Sequence, residues 1–415
     1  MIQSNRFVRT IFTLIAVLQE PLTCLQTIVP LFLLQEINAS ATHIALLTSI
    51  LPTVSILSFY WGSFVHTLHS GKLLQTSLII STALAPIIFL ISAYFNNPWI
   101  YICASGWYTL FLRASHPARM ETLKRLFPQD RCNEFFSFLF RVSYGVGMVL
   151  APILGILCDN HLVSLKWLFT IGAIFHLLSS LLYVCIRPAT STQETHQSAK
   201  VRSFLLDPWK RSHQLLRENS LFRQFQIGFF VAGSGLMIAK PAGEILFSKL
   251  HLPYLLIFIC RTVLKGSGTL GSSKLWSKHL RQNTVLSISS LVAVGFLLSQ
   301  TFLIGALSFQ YMVFFAYAIY GIAQGGSHLA WHLSGPLLSG EHSSCQLSSV
   351  NILAVGVRGA IAPLLGGMLL HSIGIIPTMW LSICTIFLGA LYLRAQKGLV
   401  EDQGLKQLHT YPEMQ

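Results

Sequence analysis

Charge is missing from this chain over stretches too long for the surface of a soluble protein. No Asp, Glu, Lys or Arg lies between Glu36 and Lys72, Lys72 and Arg113, Arg281 and Glu341, or Arg358 and Arg394. A helix crosses a bilayer with about 20 apolar residues, so each run holds one or two crossings. Hydrocarbon offers no partner to a free backbone N–H or C=O, which restricts spanning segments to helices or closed barrels. The ten-residue alternation of barrel strands is absent, so helices remain. Only 10% of residues are charged, against roughly 25% in soluble domains. With 53% hydrophobic residues, an ordinary soluble enzyme and a disordered chain are both excluded.

The hydropathy pattern predicts twelve spans: 11–34, 44–65, 73–95, 99–117, 135–157 and 167–186, then 225–247, 255–275, 285–304, 307–329, 347–370 and 375–393. The fold class expected is all-α integral membrane, with two pseudo-symmetric six-helix bundles. The opening MIQSNRFVRT leads into an apolar stretch longer than a signal-peptide core and without a small-residue cleavage site. It reads as a retained first transmembrane helix. Residues 1–186 form the first bundle, 187–223 a cytoplasmic central loop, 224–395 the second bundle and 396–415 a cytoplasmic tail. Within the central loop, DPWKRSHQLLRENSLFRQF is amphipathic, with Trp209, Leu215, Leu216 and Phe222 able to share a face. The eight cysteines are scattered without CxxC or metal-ligand spacing, so packing roles, no metal and no cofactor are expected.

A net charge of +14 first suggests nucleic acid. Placement argues otherwise. Of 28 Lys and Arg, 21 are assigned to the side of the termini and alternate loops, while the opposite side holds Lys166, Lys240 and Lys249. By the positive-inside rule both termini are cytoplasmic, and the excess is a topology signal that also attracts anionic membrane lipid. No nucleic-acid partner is expected.

The halves echo each other. Ala151-Pro152-Ile153-Leu154-Gly155 matches Ala362-Pro363-Leu364-Leu365-Gly366 at an offset of 211; Ser115-His116 matches Ser327-His328 at 212; Trp61 matches Trp276 at 215. Parallel repeats of this kind place a substrate site near the midplane.

These features resemble the major facilitator superfamily of secondary transporters over about residues 7–395. Gly147-Met148-Val149-Leu150-Ala151-Pro152-Ile153-Leu154-Gly155 is similar to the family's Gly-x-x-x-Gly-Pro-x-x-Gly pattern, with Ala151 replacing one Gly. Small residues let helices approach closely, and a proline bends the helix by freeing a carbonyl. A plain packing kink is the alternative. The segment from Gly62 through His66 to Gly71-Lys72 stands where the family carries Gly-x-x-x-Asp-Arg-x-Gly-Arg. His66 replaces the Asp, and Gly-Lys comes two residues late, so the cytoplasmic latch of the family is in doubt. The second copy, Trp276 to Arg281, is degenerate too. Arg113, four residues before Pro117, sits where the family often has Arg and then Gly; snorkelling to the interface is the alternative.

A charge within a span is costly and usually faces a cavity or a partner. Glu20 precedes Pro21 in the first span. The resemblance implies that spans one, four, seven and ten line the cavity. Glu20 is then a candidate proton- or substrate-coupled carboxylate, or a structural partner for an arginine. Arg141, Arg261, Lys265 and Arg358 fall in spans five, eight and eleven. This cationic excess points to an anionic or zwitterionic substrate, with Arg358 and Arg141 as clamps. His328 and His332 share a helical face in span ten, and His116 occupies the matching place in span four. Cavity lining fits better than a metal pair, since no third ligand has a recognisable spacing. His176 reads as a packing residue. Gly266 to Gly271 spells GxGxxG without a preceding strand, which is a packing patch and not a dinucleotide loop.

The sequence thus reads as a bacterial-type permease of the cytoplasmic membrane, not an enzyme, moving a small molecule by alternating access and monomeric. A membrane-embedded enzyme or lipid handler using His328, His332 and Glu341, or a receptor without transport, are the alternatives.

Overall fold

The computed structural model describes residues 5–66, 68, 70–188, 201–338 and 344–402. The charged positions Glu194, Lys200, Glu341, Lys406 and Glu413 lie outside them. All regular structure among the described residues is helical. In chain order the helices are α1 (Asn5–Gln26), α2 (Val29–Gln35), α3 (Ala41–His66), α4 (Gly71–Leu84), α5 (Ile87–Ile91), α6 (Pro98–Leu126), α7 (Gln129–Asp159) and α8 (Leu165–Leu182). They continue with α9 (Val201–Glu218), α10 (Ser220–Lys249), α11 (Tyr254–Phe258), α12 (Lys265–Gln282), α13 (Val285–Gly305), α14 (Met312–Leu338), α15 (Ser344–Ile373) and α16 (Ile375–Asp402). A π-helical segment, Ile259–Leu264, joins α11 to α12.

Among the described residues eight helices are long and apolar enough to cross a membrane, those at predicted spans one, three, five, six, seven, nine, eleven and twelve. The other four predicted spans fall on α3, α6, α11–α12 and α14. The chain is a multi-pass membrane protein. Two predicted spans are interrupted. Pro30 has no N–H for the Gln26 carbonyl, and span one turns at 27–28 between α1 and α2. Span three breaks at Ala85-Pro86. Span ten begins at Met312, five residues later than predicted. The amphipathic central segment is α9, but it ends at Glu218. Asn219 accepts a hydrogen bond from the Phe222 N–H at 2.9 Å and starts α10. Phe222 therefore belongs to α10, not to the face of Leu215.

The chain divides into two compact units, Met1–Ala199 with His251–Val263, and Lys200–Leu250 with Leu264–Gln415. In the first, Phe12 meets Phe135 and Tyr183 edge to face, with centroids 6.1 and 6.0 Å apart. In the second, Phe222, Phe225, Trp276 and Leu286 form the corresponding core. Helix α8 shows the logic of a lipid-solvated fold. It buries His176, Ser179 and Ser180 while exposing Ile171, Ile174, Leu178 and Leu181. Polar groups turn inward because only protein can bond them there.

The repeated small residues permit contact of backbone on backbone. In the first unit a Cβ on Gly155 would lie 2.4 Å from Leu255 Cα; in the second, one on Gly366 would lie 2.2 Å from the Ile238 carbonyl oxygen. Ala151 and Ala362 are buried beside them. A backbone oxygen cannot rotate aside as a side chain can. Gly366→Ala should therefore destabilise the protein by about 1–3 kcal/mol, read as a fall in the thermal midpoint in detergent. Gly145 has nothing within 4 Å of its would-be Cβ. Gly145→Ala should be neutral or stabilising, by up to about 1 kcal/mol of recovered helix propensity.

Candidate functional site

Glu20 stands in the C-terminal third of α1, one residue before Pro21. Pro21 withdraws the N–H that would serve the Val17 carbonyl. The Glu20 side chain lies against α7 at Gly147, where a Cβ would come within 2.8 Å of Oε1. One turn on, the Cys24 thiol lies 3.8 Å from both Glu20 Oε1 and the Gly147 carbonyl. Gly147 is thus the floor under a carboxylate. Glu20 forms no ion pair among the described residues, whereas Arg125 pairs with Glu121 at 2.9 Å.

Beside Glu20 runs a buried polar relay that the sequence did not reveal. Arg119 of α6 donates to Gln19 Oε1 at 2.9 Å, and Gln19 Nε2 donates to the Ser179 hydroxyl at 3.1 Å. Ser179 donates to the His176 carbonyl at 2.6 Å. The Tyr108 hydroxyl lies 3.4 Å from His176 Nδ1 and 3.2 Å from Thr23 Oγ1. The relay ties α1, α6 and α8 together around the turn that carries Glu20. Arg119, which the charge pattern places in a loop, is helical and half-buried. His176 is fully buried and belongs to this relay. Its only sequence signal is polar residues at helical spacing, Gln19 and Thr23, flanking Glu20.

The other candidates of the first unit are not at the Glu20–Gly147 crossing. Arg113 and His116 are exposed on α6. Arg141 is exposed on α7, six residues before Gly147, which is about 9 Å along a helix. The loop motif begins in α3, where the surroundings of Gly62 and the side chain of His66 lie outside the described residues. Gly71 opens α4 and is buried, and Lys72 is exposed. With no aspartate in that loop, Arg125 of α6 reaches it, donating to the Leu68 carbonyl at 2.9 Å. Pro152 sits inside a continuous α7, and Pro363 inside a continuous α15.

In the second unit Arg358 is 8% exposed. Its Nη1 donates to the Phe229 carbonyl at 2.6 Å, and its guanidinium lies 4.8 Å over the Phe229 ring. Gly233, one turn on, leaves the space, since a Cβ there would fall 1.9 Å from Nη1. At the repeat offset of 211, Arg358 is the counterpart of Gly147. The two crossings are therefore mirror solutions. Helix α1 supplies a charge and α7 the glycine; α15 supplies a charge of opposite sign and α10 the glycine. Lys265 begins α12, with Nζ 5.8 Å from the Tyr320 ring centre. His328 lies 3.2 Å from Gln324 Nε2. His332 is in the same helix, but its side chain lies outside the described residues. Gly268 packs on the backbone of α14 near Ala318 and Gly321.

A family model described as Major Facilitator Superfamily matches residues 12–331. The chain belongs to the Major Facilitator Superfamily. This is a family of transporters, not of enzymes, and solved structures carry the same fold. The nucleoside transporter NupG is 12% identical with a TM-score of 0.74, covering 93% of this chain and 99% of that one. A POT family transporter in complex with 5-aminolevulinic acid is 11% identical with a TM-score of 0.73, covering 94% and 96%. A bacterial homologue of the human lysosomal transporter Spinster is 13% identical with a TM-score of 0.68, covering 99% and 100%. No curated protein matches the sequence. At these identities the likeness is one of fold.

The Arg358 cradle is testable as a coupled pair. Gly233→Ala should expel the guanidinium from the Phe229 carbonyl and lower the thermal midpoint. In an Arg358→Ala background the same change should cost little. The resulting coupling should fall within roughly 0.5–3 kcal/mol.

Proposed function

We propose that this superfamily member is a secondary active transporter that moves a small solute across the cytoplasmic membrane by alternating access, coupled to protons through Glu20. The observation that carries this reading is the setting of Glu20. A carboxylate without a counter-ion, on a thiol and a glycine backbone within an apolar helix, gains from binding a proton and can release it when water reaches it. The relay through Gln19 and Arg119 holds the turn in place while that happens.

In this reading α3, α6, α11–α12 and α14 also cross the bilayer, giving twelve spans as two halves, with both termini and the central loop cytoplasmic. The halves keep the limits read from the sequence: 1–186, the loop 187–223, 224–395 and the tail 396–415. The substrate is an organic anion or zwitterion, supported by the surplus of cations over carboxylates within the spans. Arg358 contributes positive potential from its carbonyl-bound position. Lys265, Arg113, His116, His328 and His332 are the further candidates for lining its path. NupG is a nucleoside transporter, and the POT structure holds 5-aminolevulinic acid. Nucleosides and small amino acids or peptides therefore open the substrate panel.

Proteoliposomes holding the purified chain provide the test. Accumulation of a panel solute under an imposed pH gradient, inside alkaline, should be abolished in Glu20→Gln. Counterflow, which needs no net proton movement, should persist. Unimpaired accumulation in Glu20→Gln would remove Glu20 from coupling. Binding without counterflow in the native chain would indicate a receptor.

A further inference from the structure

A cavity of about 380 Å³ lies between the N-terminal parts of α1 and α7, both in the first unit. Its polar lining is Arg9, Arg141, Glu134, Thr10 and Thr13. The threonines are already engaged: Thr10 donates to the Arg6 carbonyl at 3.0 Å and Thr13 to the Arg9 carbonyl at 2.8 Å. That leaves two guanidiniums and one carboxylate. Neither arginine is in an ion pair among the described residues. Arg9 lies 5.6 Å over the Phe135 ring, and its Nε is buried without a hydrogen-bond partner. A buried donor of this kind costs free energy until an acceptor reaches it. The cavity therefore sets two guanidiniums against one carboxylate, a surplus of one positive charge.

The depth of the cavity narrows the choice of anion. The apolar spans of α1 and α7 begin at Arg6 and Glu134. Arg9 is then about 4.5 Å, and Arg141 about 10 Å, inside the start of its span along the helix. The polar headgroup zone is roughly 7 Å thick on each side of the hydrocarbon. Both cations thus lie within the first two turns or so of apolar spans, from where a long side chain can snorkel to the headgroup zone. The remaining walls are apolar and open, with Leu14 45% and Phe138 41% exposed. A soluble anion has no use for them, whereas an acyl chain does.

We propose that the Arg9–Arg141 cavity is a binding site for the phosphate of an anionic phospholipid, whose acyl chain runs along Leu14 and Phe138. One phosphodiester charge matches the surplus, and two guanidiniums can hold its oxygens by charge-assisted hydrogen bonds. The site assigns Arg141 to a membrane partner and not to the transported solute. It stands whether or not Glu20 carries protons.

Native mass spectrometry of the full chain tests it, with phosphatidylglycerol and phosphatidylcholine of identical chains. The native protein should retain phosphatidylglycerol preferentially, and its thermal midpoint should rise on adding that lipid. Arg9→Gln and Arg141→Gln should each weaken retention about tenfold, a typical effect of one lost charge-assisted pair. Arg141→Lys should recover part of it. Glycerol 3-phosphate and inorganic phosphate should not displace the lipid. Equal retention in both glutamine variants, or no preference over phosphatidylcholine, would overturn the site. Displacement by the soluble phosphates at equal concentration would make it a soluble-anion site and overturn the lipid assignment. Should either glutamine variant fail to fold, the lipid-induced shift of the native chain and the retention of Arg141→Lys decide the matter.

Discussion

A guanidinium inside an apolar helix bundle must be given an acceptor, and at Arg358 the acceptor is main chain. The Phe229 carbonyl takes the hydrogen bond, the Phe229 ring covers the cation, and Gly233 clears the volume that both require. Desolvating a charge is worth several kcal/mol of penalty in real proteins, so this arrangement constrains everything near it. It fixes the distance between α10 and α15, and it forbids a side chain at Gly233. Glu20 sets the same kind of condition in the first unit, where Gly147 is left bare beneath it. Buried charge and missing side chain are two halves of one packing rule.

That rule explains why the repeated halves look alike in sequence yet differ in chemistry. Small residues at Ala151 and Gly155 recur at Ala362 and Gly366 because helix crossings recur. The charge is free to sit on either helix of a crossing, provided its neighbour is glycine. One half places an anion on its first helix, and the other places a cation on its fifth. A repeated sequence can in this way acquire opposite polarity at equivalent positions of the repeat.

Most of the fold was legible because charge-free runs report directly on lipid exposure; prolines were a poorer guide, since Pro152 and Pro363 lie inside continuous helices while spans one and three break beside Pro30 and Pro86. Eight of the predicted spans coincide with helices long and apolar enough to cross a membrane among the described residues, and α9 covers most of the amphipathic segment. What hydropathy could not register was pairing. Gln19, Ser179, Tyr108 and His176 are polar without charge and come from three separate helices. Nothing in their spacing says that they meet. A cation just past the end of a predicted span, such as Arg119, reads as topology, whereas in the structure it lies in α6 and donates to Gln19. For Arg358 the sequence signalled that the position matters, but not that its Nη1 already donates to a main-chain carbonyl.

The π-helical segment at Ile259–Leu264 has a consequence of its own. A π turn holds about one residue more than an α turn, so everything after it is turned by about 100° around the axis. Residues before Ile259 and after Leu264 therefore do not share one helical face, whatever their spacing suggests. Arg261, inside the segment, bonds the Thr27 carbonyl at 2.7 Å, at the break between α1 and α2. Lys265, directly after it, lies instead beside Tyr320. Two cations four residues apart, which an α-helix would stack on one side, are thereby sent to different neighbours. A single helix can then belong chemically to two surroundings, which is the requirement placed on any element that must stay continuous while the parts around it move.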